Sequence, residues 1–266
     1  MARSAILNVM VSAATKAGRG LVRDFNEVEN LQVSRKGPGD FVSLADKKAE
    51  TTIKTELMKA RPGYSFIGEE GGAEEGTDGQ HRWIVDPLDG TTNFLHGIPL
   101  FAVSIALERQ GVLVAGVVYN PVMDELYVAE RGGGAFLNDR RLRVAQRRDF
   151  DDCVVATGLP NLGKGEHGRA LRELGGVMLH AAAVRRCGSA ALDLAWTASG
   201  RFDAYWEHGL QSWDIAAGVL LVREAGGFVS DAKGGETMLE TGSVVAGNER
   251  THAELLAHLK RAAAAG

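Results

Sequence analysis

The most informative stretch of the sequence is residues 83–94, which read Trp83-Ile84-Val85-Asp86-Pro87-Leu88-Asp89-Gly90-Thr91-Thr92-Asn93-Phe94. The apolar start predicts a buried strand, and that strand runs into two carboxylates three residues apart. Pro87 lacks an N–H group and fixes φ, while Gly90 permits a tight turn. Such a turn can aim Asp86 and Asp89 at one point and leave the following backbone N–H groups facing outward. The pattern therefore predicts a strand that ends in an acidic loop.

This acidic loop has two interpretations. Asp-Gly turns are common on protein surfaces, where water solvates the charges. The aromatic and aliphatic residues that flank the loop argue against its full exposure to solvent. Two carboxylates held together are costly unless a positive charge lies between them, and a hard cation with oxygen ligands supplies it. We favour metal binding, with Mg2+ as the ion that binds through carboxylates, water and substrate phosphate.

Two further acidic motifs lie far away along the chain. Glu69 and Glu70 follow a short predicted strand at residues 64–68. Adjacent side chains at a strand end point to opposite sides, so only one of the two is expected to face a metal. The motif Trp213-Asp214-Ile215-Ala216-Ala217-Gly218 predicts the start of a helix. There Asp214 is either an N-cap or a cation ligand, and this motif alone does not decide between them.

Together the acidic residues define a candidate metal centre. Its four members are Glu69, Asp86, Asp89 and Asp214. They could hold two or three Mg2+ ions, which would activate water and bind phosphoryl oxygens. The backbone N–H groups of Gly90 and Thr91 would be available to a phosphate, as those of helix N-termini are. The residues themselves therefore predict a Mg2+-dependent phosphatase that acts on a small phosphate monoester.

Composition narrows the class of protein. The chain has 266 residues, 45% of them hydrophobic and 24% charged, as in an ordinary folded protein. A formal net charge of −4 predicts neither direct nucleic-acid binding nor a polybasic membrane surface. The longest apolar runs, such as 100–107, fall far short of the ~20 residues that span a bilayer. Cys153 and Cys187 suggest no disulfide framework, and seven scattered histidines suggest no zinc site. We expect a cytoplasmic protein that does not enter a membrane.

The distribution of apolar residues predicts an α/β (α+β) fold in two halves. Residues 4–29 have the spacing of a long first helix, and residues 101–142 have the pattern of antiparallel strands. Beyond residue 150, strands and helices alternate. We therefore predict an N-terminal αβ half, residues 1–150, that carries the metal-binding loop and the antiparallel sheet. A C-terminal αβ half, residues 151–266, would complete the active site, and the two would pack as a single compact catalytic unit.

The motifs resemble those of a known family. Residues 86–94 and 213–218 resemble the two signature motifs of the inositol monophosphatase family, and Gly68-Glu69-Glu70 resembles its glutamate motif. Residues 185–194 make the chain most similar to the bacterial extragenic-suppressor members. The resemblance implies a layered αβαβα sandwich of the inositol monophosphatase and fructose-1,6-bisphosphatase type. It also implies a homodimer and inhibition by Li+.

The resemblance further implies a ligand set for each metal. Glu69, Asp86 and the backbone carbonyl of Leu88 would hold the first metal. Asp86, Asp89 and Asp214 would hold the second, and Glu69 with waters would hold a third. The metals therefore account for every member of the acidic cluster.

Catalytic and substrate-binding roles follow from the same resemblance. Thr91, oriented by Asp46, would help Glu69 to position and deprotonate the attacking water. The residues expected to contact substrate are Leu88, Asp89, Gly90, Thr91, Arg185, Gly188, Ser189, Ala190, Glu207 and Asp214. Lys36 matches a position at the rim of the family's active site, and it could equally be an exposed flexible lysine.

The identity of the substrate stays open at this stage. Myo-inositol 1-phosphate is the first hypothesis, and histidinol phosphate, fructose 1,6-bisphosphate and 3′-phosphoadenosine 5′-phosphate are the alternatives. Gln211 stands where animal inositol monophosphatases carry histidine, which leaves the alcohol side of the pocket undetermined. A non-enzymatic alternative is a regulatory partner of the transcription or RNA machinery, since extragenic suppressors of this type are associated with such roles.

Overall fold

The computed structural model describes residues 3–27, 33–37, 40–163 and 165–264, and the Lys36 side chain lies outside what it describes. The first elements are α1 (Ala5–Phe25), β1 (Val33–Gly37), β2 (Asp40–Ser43), α2 (Leu44–Ala60), β3 (Ser65–Gly68), β4 (Gly72–Glu74), β5 (His81–Asp89) and α3 (Thr91–Leu95). Five strands follow, β6 (Ala102–Arg109), β7 (Val112–Asn120), β8 (Glu125–Glu130), β9 (Gly134–Leu137) and β10 (Arg140–Arg141). The predicted long first helix is confirmed as α1, which ends at Phe25.

Strands and helices alternate in the rest of the chain, as the sequence predicts. The elements are β11 (Val154–Thr157), α4 (His167–Met178), β12 (Ala183–Arg185), α5 (Ala190–Ala198), β13 (Ala204–His208), α6 (Ser212–Glu224), β14 (Phe228–Ser230), α7 (Met238–Thr241), β15 (Ser243–Gly247) and α8 (Glu249–Ala264). Within the described ranges, no helix combines the length and the apolar character that a membrane span requires.

Two mixed sheets organise the molecule. The larger sheet has eight strands in the order β10-β9-β8-β7-β6-β5-β3-β4, and only its β3–β5 pair is parallel. The smaller sheet has five strands in the order β12-β11-β13-β15-β14, with β11 parallel to both of its neighbours. The strands of the larger sheet fall within residues 65–141 and those of the smaller sheet within 154–247. A boundary between halves at residue 150 stays a prediction.

Alternation along the strands separates the layers. On β5, Trp83 and Val85 pack with α1 and α2, while Ile84 faces the opposite side and packs with α5 and α6. On β13, Tyr205 packs with α5 and α6, while Trp206 faces α4 and α8. Because successive strand residues point to opposite faces, each sheet has a helical layer on both sides. The result is the αβαβα sandwich that the resemblance implies.

The helices between the sheets are buried around most of their circumference. On α6, residues 215–222 are all buried, as expected for a helix that contacts protein on every side. Gly218 of α6 faces Leu194 of α5, and a Cβ atom on Gly218 would lie 2.5 Å from the Leu194 Cβ atom. Close packing of these two helices therefore depends on the absence of a side chain at position 218.

We predict that Gly218→Ala lowers the free energy of unfolding by roughly 1–3 kcal/mol, because the added methyl group overpacks the central layer. Gly20→Ala is the matched control, since it also lies within a helix but has no atom within 4 Å of the added Cβ. This control should raise stability by up to about 1 kcal/mol. Urea unfolding of both variants measures the difference, and equal stabilities would contradict the packing account.

Candidate active site

Strand pairing brings two of the acidic motifs to one edge of the larger sheet. In the parallel pair β3–β5, Gly68 lies opposite Val85, so Glu69 and Asp86 are the next residues along each chain. The β5–β6 register shifts between Asp86 and Asp89, which is a β-bulge. Pro87 lies within this bulge, where the missing N–H group costs no ladder hydrogen bond. The bulge re-aims the end of β5, where Asp89 pairs again with Ala102 of β6.

Gly90 and Asn93 fix the loop that follows. Gly90 has a φ of +95°, and a Cβ there would lie 2.8 Å from the carbonyl oxygen of Leu100, so a side chain would be both strained and obstructed. The Asn93 side-chain amide donates to the carbonyl oxygens of Leu100 at 2.7 Å and Cys187 at 2.8 Å. The loop is thereby attached to the segment that leads into α5.

The N-terminus of α5 binds the carboxylate of Asp89. The Ser189 hydroxyl donates to the Asp89 Oδ2 atom at 2.6 Å, and the Ala191 N–H donates to the same oxygen at 2.7 Å. Ser189 is also the N-cap of α5, where its Oγ accepts from the Leu192 N–H. Burial raises the pKa of Asp89 to about 6, although the hydrogen bonds from Ser189, Ala191 and Gly90 oppose that rise.

Asp214 caps α6 from inside the helix and also lines the cavity. The helix begins at Ser212 with Gln211 as its N-cap, so Asp214 is the third helical residue rather than the N-cap itself. Its Oδ2 atom accepts from the Gln211 N–H at 2.7 Å. Burial, and then the charge of Asp89, raise the pKa of Asp214 well above its usual value. The capping role and a role in the acidic cluster are therefore compatible.

The acids converge on a cavity of about 450 Å3. Ten of the residues expected from the sequence line it, namely Glu69, Asp86, Leu88, Asp89, Gly90, Thr91, Gly188, Ala190, Glu207 and Asp214. Ser189 lies behind the wall, on Asp89. Arg185 is exposed and does not line the cavity, whereas its neighbour Arg186 does. The sequence pattern could not distinguish these two arginines.

Asp46 forms a second acidic group beside the cavity. One carboxylate oxygen each from Asp46, Glu69 and Glu70 lie within 4.8 Å of one another. Asp46 is 1% exposed, and only Glu69 of the three lines the cavity. The Thr91 hydroxyl donates to the Leu88 carbonyl oxygen at 3.0 Å, which is the carbonyl that the resemblance assigns to a metal.

The chemistry of these groups fits a hard divalent cation. Burial raises the pKa of Asp86 well above its usual value, and the neighbouring charges of Glu69, Asp89, Asp214 and Asp46 raise it further. Carboxylate and carbonyl oxygens are the donors that Mg2+ prefers, and a bound cation would favour the ionised form of each acid. The acidic cluster could therefore hold metal.

Glu50 is a residue of this site that the sequence reasoning missed. It is 6% exposed, and its Oε2 atom accepts from the Glu70 N–H at 2.9 Å. A Cβ atom on Gly68 would lie 2.3 Å from the same oxygen, so Gly68 is required for this approach. Asp46 and Glu50 lie four residues apart on α2, a spacing that places both on one helix face. Two acids at this spacing, each directly after a buried alanine (Ala45 and Ala49), are the sequence pattern that could have indicated that Glu50 belongs to the site.

We expect Glu50→Ala to weaken Mg2+ binding roughly tenfold to a hundredfold, as the loss of a group that orients a metal ligand typically does. Glu50→Gln keeps an oxygen that can accept from the Glu70 N–H, so its Mg2+ affinity should stay within a few-fold of wild type. Glu56→Ala is the control on the same helix, since Glu56 pairs with Lys16 at 2.6 Å. Calorimetric Mg2+ titration measures all three, and equal affinities for the two Glu50 variants would contradict this role.

We also predict that the metal-free protein loses stability as pH rises from about 4 to 7. The folded state raises the pKa of Asp89 to about 6 and that of Glu207 to about 7, chiefly through burial. Both acids bind protons more tightly in the folded state than in the unfolded state. Their contribution to the free energy of unfolding is therefore complete below the unfolded pKa values of about 4. It disappears as pH rises through the folded values. One pKa unit corresponds to about 1.4 kcal/mol, and screening at these half-buried groups reduces the effect.

Urea unfolding in a metal chelator at several pH values measures this slope. Asp89→Asn should flatten it and should be more stable than wild type at pH 8. Mg2+ should stabilise wild type more at pH 8 than at pH 5, because protons compete with the metal. The prediction would be wrong if, in the presence of chelator, the free energy of unfolding of wild type rose relative to that of Asp89→Asn as the pH increased.

Comparison with known proteins gives a consistent result. A family model described as the inositol monophosphatase family matches residues 2–264. An inositol-1-monophosphatase of Mesorhizobium japonicum is 69% identical over 98% of each chain. The Nus factor SuhB of Escherichia coli K12 is 46% identical over 96% of each chain. The crystal structure of the extragenic suppressor protein suhB from Bartonella henselae superposes with a TM-score of 0.95 at 61% identity, covering 97% of this chain and 99% of that one.

Proposed function

Because the chain belongs to the inositol monophosphatase family, a family of phosphatases, we propose that it hydrolyses myo-inositol 1-phosphate to inositol and phosphate in a Mg2+-dependent reaction. The observation that carries the proposal is the convergence of four acids, from three separate segments of the chain, on one cavity. Relatives that are 69%, 66% and 55% identical are named inositol-1-monophosphatase, which supports this substrate. We further propose a cytoplasmic location and sensitivity to Li+.

In this proposal the acids hold two to three Mg2+ ions. Glu69, Asp86 and the Leu88 carbonyl would contribute to one site, and Asp86, Asp89 and Asp214 to another. Glu69 with waters would contribute to a third. Bound Mg2+ supplies Lewis acidity, which lowers the pKa of a water and stabilises charge on the phosphoryl and leaving oxygens.

The protein's own groups would position the reactants. The Gly90 and Thr91 N–H groups would meet phosphoryl oxygens at the start of α3, and the Gly90 N–H would share its hydrogen bond with Asp89. The Thr91 hydroxyl donates to the Leu88 carbonyl, so its oxygen keeps a lone pair that can accept from the attacking water. Glu69 would take the proton from this water, and Asp46 would accept from the Thr91 hydroxyl in place of the Leu88 carbonyl once a metal holds that carbonyl.

On the alcohol side, Glu207 would accept hydrogen bonds from substrate hydroxyls. The Tyr205 hydroxyl donates to the Glu207 Oε2 atom at 2.6 Å and so orients the carboxyl group. Gly188, Ala190 and Gln211 also line the cavity. Arg185 remains a weaker substrate-binding proposal, because its guanidinium group donates to the Val184 carbonyl oxygen.

We also propose that the protein is a homodimer. Leu171 and Met178 lie seven residues apart on α4, so they share one helix face, and their exposed fractions are 66% and 59%. Leu179, immediately after the helix, is 81% exposed. Exposed apolar groups in one region support an interface with a second copy.

We predict that Asp86→Asn lowers kcat for inositol 1-phosphate by roughly a thousandfold or more, because it removes an acid shared by two proposed metal sites. Asp151→Asn is the control, since Asp151 is exposed and outside the cavity. Phosphate release with Mg2+ is measured for inositol 1-phosphate, histidinol phosphate, fructose 1,6-bisphosphate and 3′-phosphoadenosine 5′-phosphate. A hundredfold preference for one of the other three compounds would refute the proposed substrate.

A second candidate function is a regulatory role in transcription, which the name of the 46% identical Nus factor supports. The net charge of −4 favours a protein partner over direct RNA contact. The Asp86→Asn variant separates the two roles in cells. Preserved cellular function without turnover would favour the regulatory role, and a parallel loss of both would favour the phosphatase.

A further inference from the structure

A cavity of about 340 Å3, here called the sheet-end pocket, lies at the end of the larger sheet that is remote from the acidic cluster. His81, the first residue of β5, lines it, whereas Asp86 and Asp89 lie towards the other end of that strand. Five residues of strand separate His81 from Asp86, which corresponds to roughly 16 Å at the rise of a β-strand. Of the residues that the structure describes, none lines both this pocket and the catalytic cavity.

Three arginines from three separate segments line the sheet-end pocket. Arg61 directly follows α2, Arg109 is the last residue of β6 and Arg131 directly follows β8. Strands β6 and β8 are the two neighbours of β7, so Arg109 and Arg131 flank that strand. At the usual spacing of strands their backbones lie roughly 10–12 Å apart, and two long side chains can meet at one group between them.

The guanidinium groups of these arginines keep donors for a ligand. In the described part of the chain, the carboxylates that pair with arginine pair with other arginines, among them Arg82, Arg147 and Arg201. Arg61 donates to the carbonyl oxygen of Ala60 at 2.8 Å. A guanidinium group has five N–H donors, so most of those on Arg61 remain available.

The charges of the sheet-end pocket favour an anion. Glu130 also lines the pocket, so the three guanidinium groups face one carboxylate and positive charge is in excess there. His81 is paired with Asp78, since its Nδ1 atom lies 2.6 Å from the Asp78 Oδ2 atom. The chain as a whole carries a net charge of −4, so this excess runs against the overall charge. A ligand with two negative charges would balance it.

The other walls of the pocket suit a small organic group. Ile6, Leu107 and Val114 provide aliphatic surface, and the Tyr64 ring stacks on His81 at a centroid distance of 4.3 Å. A volume of about 340 Å3 lies at the lower end of the range of small-molecule sites. Guanidinium groups bind phosphate oxygens in pairs, which makes arginine the preferred residue for a phosphate group.

We propose that the sheet-end pocket is a second ligand site, separate from the catalytic cavity, and that it binds a phosphate group with a small apolar organic part. Arg61, Arg109 and Arg131 would hold the phosphate oxygens, and Ile6 and Leu107 would contact the organic part. The inference does not rest on the proposed phosphatase function, because none of these residues belongs to the acidic cluster.

The test is a calorimetric titration of the full-length protein with n-butyl phosphate at pH 8 and low salt. No metal is added, so that the acids of the catalytic cavity repel the anion. One molecule per chain should bind with a Kd of about 1 mM or tighter. Inorganic phosphate should bind roughly tenfold more weakly, because it buries no apolar surface. The n-butylsulfonate ion, with the same alkyl group and a single charge, should also bind roughly tenfold more weakly.

Substitutions at the rim locate the binding site. Arg109→Gln and Arg131→Gln should each weaken binding of n-butyl phosphate roughly tenfold to a hundredfold, the effect of losing a charge-assisted hydrogen bond. Both side chains are exposed, so the fold should tolerate these changes. Glu130→Gln should strengthen binding several-fold, because it removes a repulsive charge. Arg148→Gln is the matched control, since Arg148 is exposed, lies outside the pocket and carries the same charge.

Each possible result decides the matter. Absence of saturable binding up to about 20 mM n-butyl phosphate would overturn the proposal, and so would an equal loss of affinity in Arg109→Gln and Arg148→Gln. Equal affinities for inorganic phosphate and n-butyl phosphate would overturn the proposed ligand class in favour of free phosphate. Turnover of inositol 1-phosphate tests the phosphatase function separately, and Arg109→Gln should leave it unchanged.

Discussion

The mutual repulsion of carboxylates around one cavity is the constraint on which the rest of the structure depends. Asp86 and Asp89 flank the β-bulge at the end of β5, and Asp214 lies in the first turn of α6. Each accepts at least one hydrogen bond from a backbone N–H group, that of Leu88 at 2.9 Å, Ala191 at 2.7 Å and Gln211 at 2.7 Å respectively. These bonds orient the acids without neutralising them, because all three pKa values remain raised. The folded chain therefore provides geometry, and a cation would provide the missing charge.

The local parts of this arrangement could be predicted because adjacent residues encode them. The apolar run before Asp86 indicates a buried strand, and the Pro87 and Gly90 positions indicate a turn, which the structure refines to a β-bulge and a residue at positive φ. The αβαβα order of the layers could be predicted only from the resemblance to the inositol monophosphatase family. Periodicity alone does not show that α5 and α6 lie between two sheets, although the continuous burial of residues 215–222 is the pattern of a helix without a solvent face.

Other features depend on contacts that sequence spacing does not specify. Arg185 and Arg186 are equally basic neighbours, and only the direction of the chain after β12 decides which one lines the cavity. In the sequence, Glu50 looks like an ordinary exposed acid on a helix. The structure shows that it approaches Gly68 closely and accepts a hydrogen bond from the Glu70 N–H. The sequence predicts that only one of Glu69 and Glu70 faces the site, and of the two only Glu69 lines the cavity. Asp46 then joins both of them through a contact between α2 and the loop after β3.

Strand β13 separates two tasks that the molecule must perform. Its alternation directs Tyr205 and Glu207 towards the acidic cavity, and it directs Trp206 and His208 towards Glu173 of α4. The acids proposed to hold metal are fixed by backbone donors at strand and helix ends, so their positions depend on the fold itself. The carboxyl group proposed to meet the alcohol, that of Glu207, is oriented instead by a side chain of the same strand, Tyr205. Substitutions at Glu207 would therefore change which alcohol fits while the backbone donors keep the geometry of the acidic cluster.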